Sequence, residues 1–235
     1  MTSRLSKAPS SPPATSIAPS AAAETTTQPI VYVLDDDRRI REALEAMLTS
    51  MGYRVHLFAD AEQYLAHPRA NVPGCLILDL ELPGMTGLEL QRRLSGSLGP
   101  PIIFLTGHGD IPSTVKAMKA GATEFLSKPF DPDDLIKAID SAIAADKAAR
   151  LKNEDLLEFQ HRYAQLTPRE REVFPYVVSG LLNKQTASEL GTSEITIRIH
   201  RGQIMRKMQA ESLADLVRIA SRLEIALPET PYNRH

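Results

Sequence analysis

The chain of 235 residues exceeds one average domain and is long enough for two small ones. Hydrophobic residues at 43% and charged residues at 24% suit a soluble globular protein, and no apolar run reaches the roughly 18 residues that cross a bilayer. Arg4 and Lys7 have no apolar stretch behind them and the single cysteine, Cys75, cannot form an internal disulfide, so a cytoplasmic protein without a secretory signal is expected.

The net charge of -2 conceals an asymmetry. Residues 30–145 hold 11 Lys and Arg against 16 Asp and Glu, whereas residues 163–235 hold 10 against 8. Arg198, Arg201, Arg206 and Lys207 fall within ten residues that contain no acid. Two halves of opposite sign imply different partners.

Residues 1–29, rich in Ser, Pro, Ala and Thr, bury too little apolar surface to offset ordering entropy and are expected to be disordered. From 30 to 145, short apolar runs alternate with helical spacing. The expected strands are 30–34, 53–58, 75–80, 101–106 and 123–127. Cys75 opens one of these runs and reads as a buried structural thiol. Ile40, Leu44, Met47, Leu48 and Met51 mark one face of the first helix, with Asp37 as a cap at its start. Asp131 followed by Pro132 starts the last helix of this half. Five βα units predict an α/β fold, a doubly wound parallel sheet with helices on both faces. That helix is expected to run on as a helical linker over 146–162. Residues 163–235 show no strand alternation and at least four helix-sized segments, an all-α domain.

In doubly wound sheets, ligands sit beyond the carboxyl ends of the strands. Asp35, Asp36 and Asp37 end the first strand, Asp79 the third, Thr106 the fourth, and Lys128 the fifth. Carboxylates that converge repel one another, and a hard divalent cation such as Mg²⁺ relieves this. The cation, a lysine and a hydroxyl would together hold a phosphoryl group, leaving one carboxylate to act as nucleophile.

"VYVLDDD", "LILDLELPGMTGLEL", "FLTGHGD" and "FLSKPF" resemble the receiver domain of two-component response regulators, over essentially all of 30–145. The resemblance implies that Asp79 accepts a phosphoryl group from a cognate sensor histidine kinase. It implies Asp36 as the direct Mg²⁺ ligand, Asp35 as its acidic neighbour, and the Glu81 main-chain carbonyl as a further ligand. Thr106 and Lys128 would contact the phosphoryl group, and the Lys128–Pro129 bond would be cis. Phe125 is open between plain strand packing and the family's aromatic switch. "TGHGDIPSTVKAMKAGATEFLSKPF" is closest to the FixJ-type subgroup. "LILDLE" also resembles haloacid-dehalogenase-type phosphatases. Those begin with the nucleophile and place an acidic pair last, whereas here the pair comes first.

In the second half, Thr167 and Pro168 make a helix start with Glu170 and Glu172 expected in its first turn, and Pro175 lies inside that helix as a candidate kink. "NKQTASEL", a break at Gly191 and a cap at Ser193 form a helix-turn-helix. On the helix after Ser193, Ile197, His200, Ile204 and Met208 should face the core, with His200 satisfied by a carbonyl. Arg198, Gly202, Met205 and Arg206 should face outward, with Ile199 and Arg201 on the flanks. An outward Ile199 would suit a thymine methyl. Gly202 weakens the helix by about 1 kcal/mol relative to Ala, and either close backbone approach or drift accounts for it. In the last helix Leu213, Leu216, Val217, Ala220 and Leu223 form an apolar face, for core packing or for dimerisation.

"LTPREREVF", "GLLNKQTASELGTSEITIRIHRGQIMRKM" and "SLADLVRIA" resemble the LuxR/NarL-type DNA-binding domain. The resemblance implies DNA contacts by Lys184, Thr196, Arg198, Ile199, Arg201, Gly202 and Arg206, although Gly202 stands where some members carry a basic residue. It further implies promoter DNA and RNA polymerase as partners, a homodimer on phosphorylation, and activation more than repression. A phospho-regulated adaptor with a protein-binding second domain is the competing non-enzymatic reading.

Overall fold

The computed structural model describes residues 28–94, 99–107 and 111–229. The disorder expected for 1–29 concerns residues that, apart from Gln28 and Pro29, lie outside that description, as do His108–Asp110 of the "GHGD" segment and residues 230–235.

The strands are β1 (Ile30–Leu34), β2 (Arg54–Phe58), β3 (Gly74–Asp79), β4 (Ile102–Thr106) and β5 (Glu124–Ser127), alternating with α1 (Arg38–Ser50), α2 (Ala61–Ala66), α3 (Gly87–Leu94) and α4 (Ile111–Lys119). All pair in parallel in the order β2-β1-β3-β4-β5. Boundaries differ from the expected runs by a residue at several ends; β3, for instance, closes at Asp79 rather than Leu80.

Alternation along the strands divides the apolar side chains between two cores. Tyr32, Leu34, Leu76, Leu78 and Phe104 pack with Tyr64 of α2, Leu90 of α3 and Ala117 of α4. Val31, Val33, Cys75, Ile77, Ile103 and Leu105 pack with Leu44 and Leu48 of α1 and with Leu135 and Ile139 of the next helix. Burial pushes the Cys75 thiol up to about 12, as befits a structural cysteine. Met51 departs from the expected face: it caps the end of α1 and is 50% exposed, because the helix stops before its position turns inward.

That next helix, α5 (Pro132–Ala164), is 33 residues long, about 50 Å of continuous helix. Asp131 caps it by accepting from the Asp133 amide. Asp146 is buried and accepts from the Gly74 amide and from Arg150, which also donates to Asn71. Further on, Phe159 and Tyr163 of the same helix pack against a third core.

The third core belongs to α6 (Pro168–Val178), α7 (Asn183–Glu189), α8 (Glu194–Lys207) and α9 (Leu213–Arg222). Thr167 and Glu170 close a capping box at the start of α6, but Glu172 lies beyond the first turn. The helix is a single element through Pro175. Three expected faces need correction. His200 is only half-buried and no hydrogen bond to its ring is found among the described residues. Met205, one residue after the buried Ile204, packs on the core rather than facing out. In α9 Ile219 is buried and Val217 is 41% exposed, since 216, 219 and 220 share the inner face.

Candidate functional site

The order β2-β1-β3 makes β1 and β3 the pair at which the chain reverses direction across the sheet, and in such sheets ligands sit beyond the carboxyl ends at this point. Register places Leu34 beside Leu78, so the next residues, Asp35 and Asp79, emerge side by side. One carboxylate oxygen from each of Asp35, Asp36 and Asp79 lies within 4.8 Å of the others. Asp35 and Asp79 are 2% and 8% exposed, whereas Asp36 faces solvent.

β5 brings in the cation. Its end is tied to β4 by the Lys128 amide, which donates to the Thr106 carbonyl at 2.7 Å. Lys128 Nζ then lies 2.6 Å from Asp35 Oδ2 and 2.8 Å from Asp79 Oδ2. Burial acting alone would lower the lysine, but these two bonds outweigh it and hold it above its ordinary value. Burial raises the Asp35 carboxyl above the usual range, against the pull of Lys128 and the Asp37 amide. Thr106 is fully buried at the end of β4. The Lys128–Pro129 bond is cis. Phe125 is half-buried against the first core, its ring 6.2 Å from that of Phe104.

Two supports of this pocket were given no role of their own in the sequence. Arg41 Nη1 donates to the main-chain carbonyls of Asp35 and Asp36, at 2.6 and 2.9 Å, and braces the acidic turn. Its one signal was a basic residue a turn beyond the Asp37 cap. Gly87, the last residue of "LPGMTG", has its backbone against the phospho-acceptor candidate. A Cβ there would stand 2.4 Å from the Asp79 carbonyl oxygen, so only glycine fits. The Glu81 amide donates to Asp79 Oδ1 at 3.2 Å, which sets that segment beside the carboxylates.

The second group of predicted residues is arranged differently. Ser193 caps α8 by accepting from the Thr196 amide, and the Thr196 hydroxyl shares a 2.8 Å bond with the same oxygen. Thr196 is therefore occupied in the cap, and Arg201 is half-buried on a flank. Arg198, Ile199, Gly202 and Arg206 come together on the side opposite the buried Ile197, Ile204 and Met208, and Lys184 is exposed on α7. The helix is held by an ion pair that sequence reasoning missed: Lys207 Nζ lies 2.6 Å from the buried Glu170 of α6. Lys207 and the Thr167 amide together keep the Glu170 carboxyl below its ordinary value despite burial.

Comparison with known proteins is consistent across sequence and structure. Residues 31–140 match the response regulator receiver domain, and residues 164–220 the bacterial regulatory proteins of the luxR family. Nodulation protein W of Bradyrhizobium diazoefficiens is 43% identical over 208 residues, 88% of this chain and 92% of the relative. Transcriptional regulatory protein FixJ of the same organism is 42% identical over 198 residues, 84% and 97% of the two chains. The solved structure of response regulator StyR aligns with a TM-score of 0.73 at 44% identity, covering 83% of this chain and 99% of that one.

Proposed function

The chain belongs to the two-component response regulators of the FixJ/NarL type, with a LuxR-type DNA-binding domain, and from that premise we propose that Asp79 is the phosphoryl acceptor governing DNA binding by α8. The observation that carries the proposal is the pairing of Lys128 with both Asp35 and Asp79 inside a cluster of three acids.

One lysine charge against three carboxylates leaves room for a divalent cation, and the donors are all hard oxygens, so the residues fit Mg²⁺. Asp35, Asp36, Asp79 and the Glu81 main-chain carbonyl would hold it. Bound there, it supplies positive charge opposite the phosphoryl oxygens. An Asp79 oxygen attacks the phosphorus of a phosphohistidine on the partner kinase. The O–P bond forms as the P–N bond breaks, and the electron pair returns to the imidazole. Lys128 moves from the Asp79 carboxylate to a phosphoryl oxygen, and the Thr106 hydroxyl donates to another. Phe125, at the edge of the first core, repacks as Thr106 shifts and biases a dimer. Two copies of α8 then read half-sites about one DNA turn apart.

The proposal includes the division into 30–145 and 163–235 joined by the helical linker 146–162. It includes a cytoplasmic setting, contact with RNA polymerase, and no turnover beyond loss of the chain's own phosphoryl group. Among the described residues no helix is long and apolar enough to cross a membrane. A mobility shift with genomic fragments at fixed salt tests the reading. Acetyl phosphate should tighten binding by the wild-type chain and leave Asp79→Asn unchanged; an equal response from both would overturn it.

A further inference from the structure

The outward stripe of α8 carries two large apolar residues that nothing in the described chain covers. Ile195 is 68% and Ile199 58% exposed. They stand four residues apart, which puts them one turn above another on the same face, with Cβ atoms about 6 Å apart. A single exposed isoleucine is ordinary, but an adjacent pair on one turn is a small hydrophobic surface.

Its surroundings identify the occupant. Arg198 and Arg206 lie on the same stripe, Arg201 is on its flank, and no acid falls between 198 and 207. Among the described residues the Arg198 guanidinium is held only by a long 3.6 Å pair to Glu194, so its charge is available to an anion. An apolar pair flanked by available arginines suits a polyanion with apolar spots more than the largely neutral centre of a protein interface. On the base edges of the major groove, the thymine C5-methyl is the apolar group on offer, and phosphates line both sides. Gly202 fits the same surface. A Cβ there would meet nothing within 4 Å, so packing in the free protein does not demand glycine, and its absence lets a groove edge approach beside Ile199.

We infer that Ile195 and Ile199 together read two thymine methyl groups, which makes Ile195 a specificity residue alongside the family positions. The inference rests on the DNA-reading role of α8 proposed above. A spacing of about 6 Å between the side chains, against a rise of about 3.4 Å per base pair, sets the two thymines about two steps apart.

The test uses the full chain treated with acetyl phosphate and a random duplex library selected at fixed salt. Each thymine of the enriched site is then replaced by deoxyuridine, which removes the methyl alone. Two such positions, about two steps apart, should each weaken wild-type binding about fourfold, the effect of exposing one methyl group. Ile195→Ala should lose the same amount on thymine DNA and become indifferent to deoxyuridine at one of the two positions. Ile199→Ala should become indifferent at the other. Both residues are exposed, so thermal unfolding of the variants should match wild type. Unchanged wild-type affinity for deoxyuridine DNA overturns the inference, as does an Ile195→Ala that stays fully sensitive. Altered oligomeric state in Ile195→Ala with unaltered DNA affinity overturns it in favour of a protein interface. A library that yields no enriched sequence overturns the DNA-reading function itself, and this inference with it.

Discussion

The acidic pocket and the outward face of α8 solve opposite problems. In the pocket Asp35 and Asp79 are buried and share one lysine, and Gly87 and Arg41 back them through main-chain contacts. On α8 they stand in solvent, with Arg198 70% exposed at its side chain and two isoleucines uncovered. A chemical centre must be preorganised, because charge has to be stabilised where it develops. A reading surface is completed only by its ligand, so its residues contribute little to the fold. Substitutions in the first region should therefore move stability, and those in the second should move binding.

One glycine sharpens the contrast from its largest side. Gly87→Ala forces a methyl into the Asp79 carbonyl and should cost about 3 kcal/mol in urea unfolding; an unchanged midpoint would remove the claim of close backing. The Glu170–Lys207 pair, which supports α8 from beneath, comes next. Glu170→Gln should cost about 2 kcal/mol at neutral pH, the scale of a hydrogen bond to a charged group. Because the folded Glu170 carboxyl lies below its unfolded value, its contribution is present above the ordinary carboxylate range and disappears as pH falls through the folded value. The difference between variant and wild type should thus shrink in acid, and a gap independent of pH would contradict the ion pair.

Smaller effects should run toward greater stability. In metal-free buffer at neutral pH, Asp35→Asn should gain about 1 kcal/mol by removing a buried charge from a cluster of like charges while Asn can still accept from Lys128. A loss there would mean that the lysine bond outweighs burial. Gly202→Ala should gain just under about 1 kcal/mol, the helix propensity difference, since open space surrounds the position. A destabilised Gly202→Ala would show a packing constraint on the outward face of α8.

The pocket was largely legible in the sequence because apolar runs stop abruptly at Asp35, Asp79, Thr106 and Lys128, and parallel pairing brings strand ends together. What escaped was whatever depends on distances across the fold. Arg41 reaches back over a turn, Gly87 is fixed by an approach to a carbonyl, and Lys207 finds Glu170 from 37 residues away. Helical spacing served in the middle of helices and failed at the margins of faces. Met51 lies where α1 ends, and Met205 and Val217 sit at angles where neighbouring segments, not periodicity, decide burial. Ile195 was passed over because an apolar residue near a helix start reads as core until its exposure is seen.

Phosphoryl acceptance is assigned to one carboxylate, and peptide mapping by mass spectrometry after acetyl phosphate and Mg²⁺ treatment tests it most directly. One phosphoryl group should appear on the wild-type chain, in the peptide that contains Asp79, and none on Asp79→Asn. Label on another residue of the wild type, or the same label on the variant, would contradict the assignment.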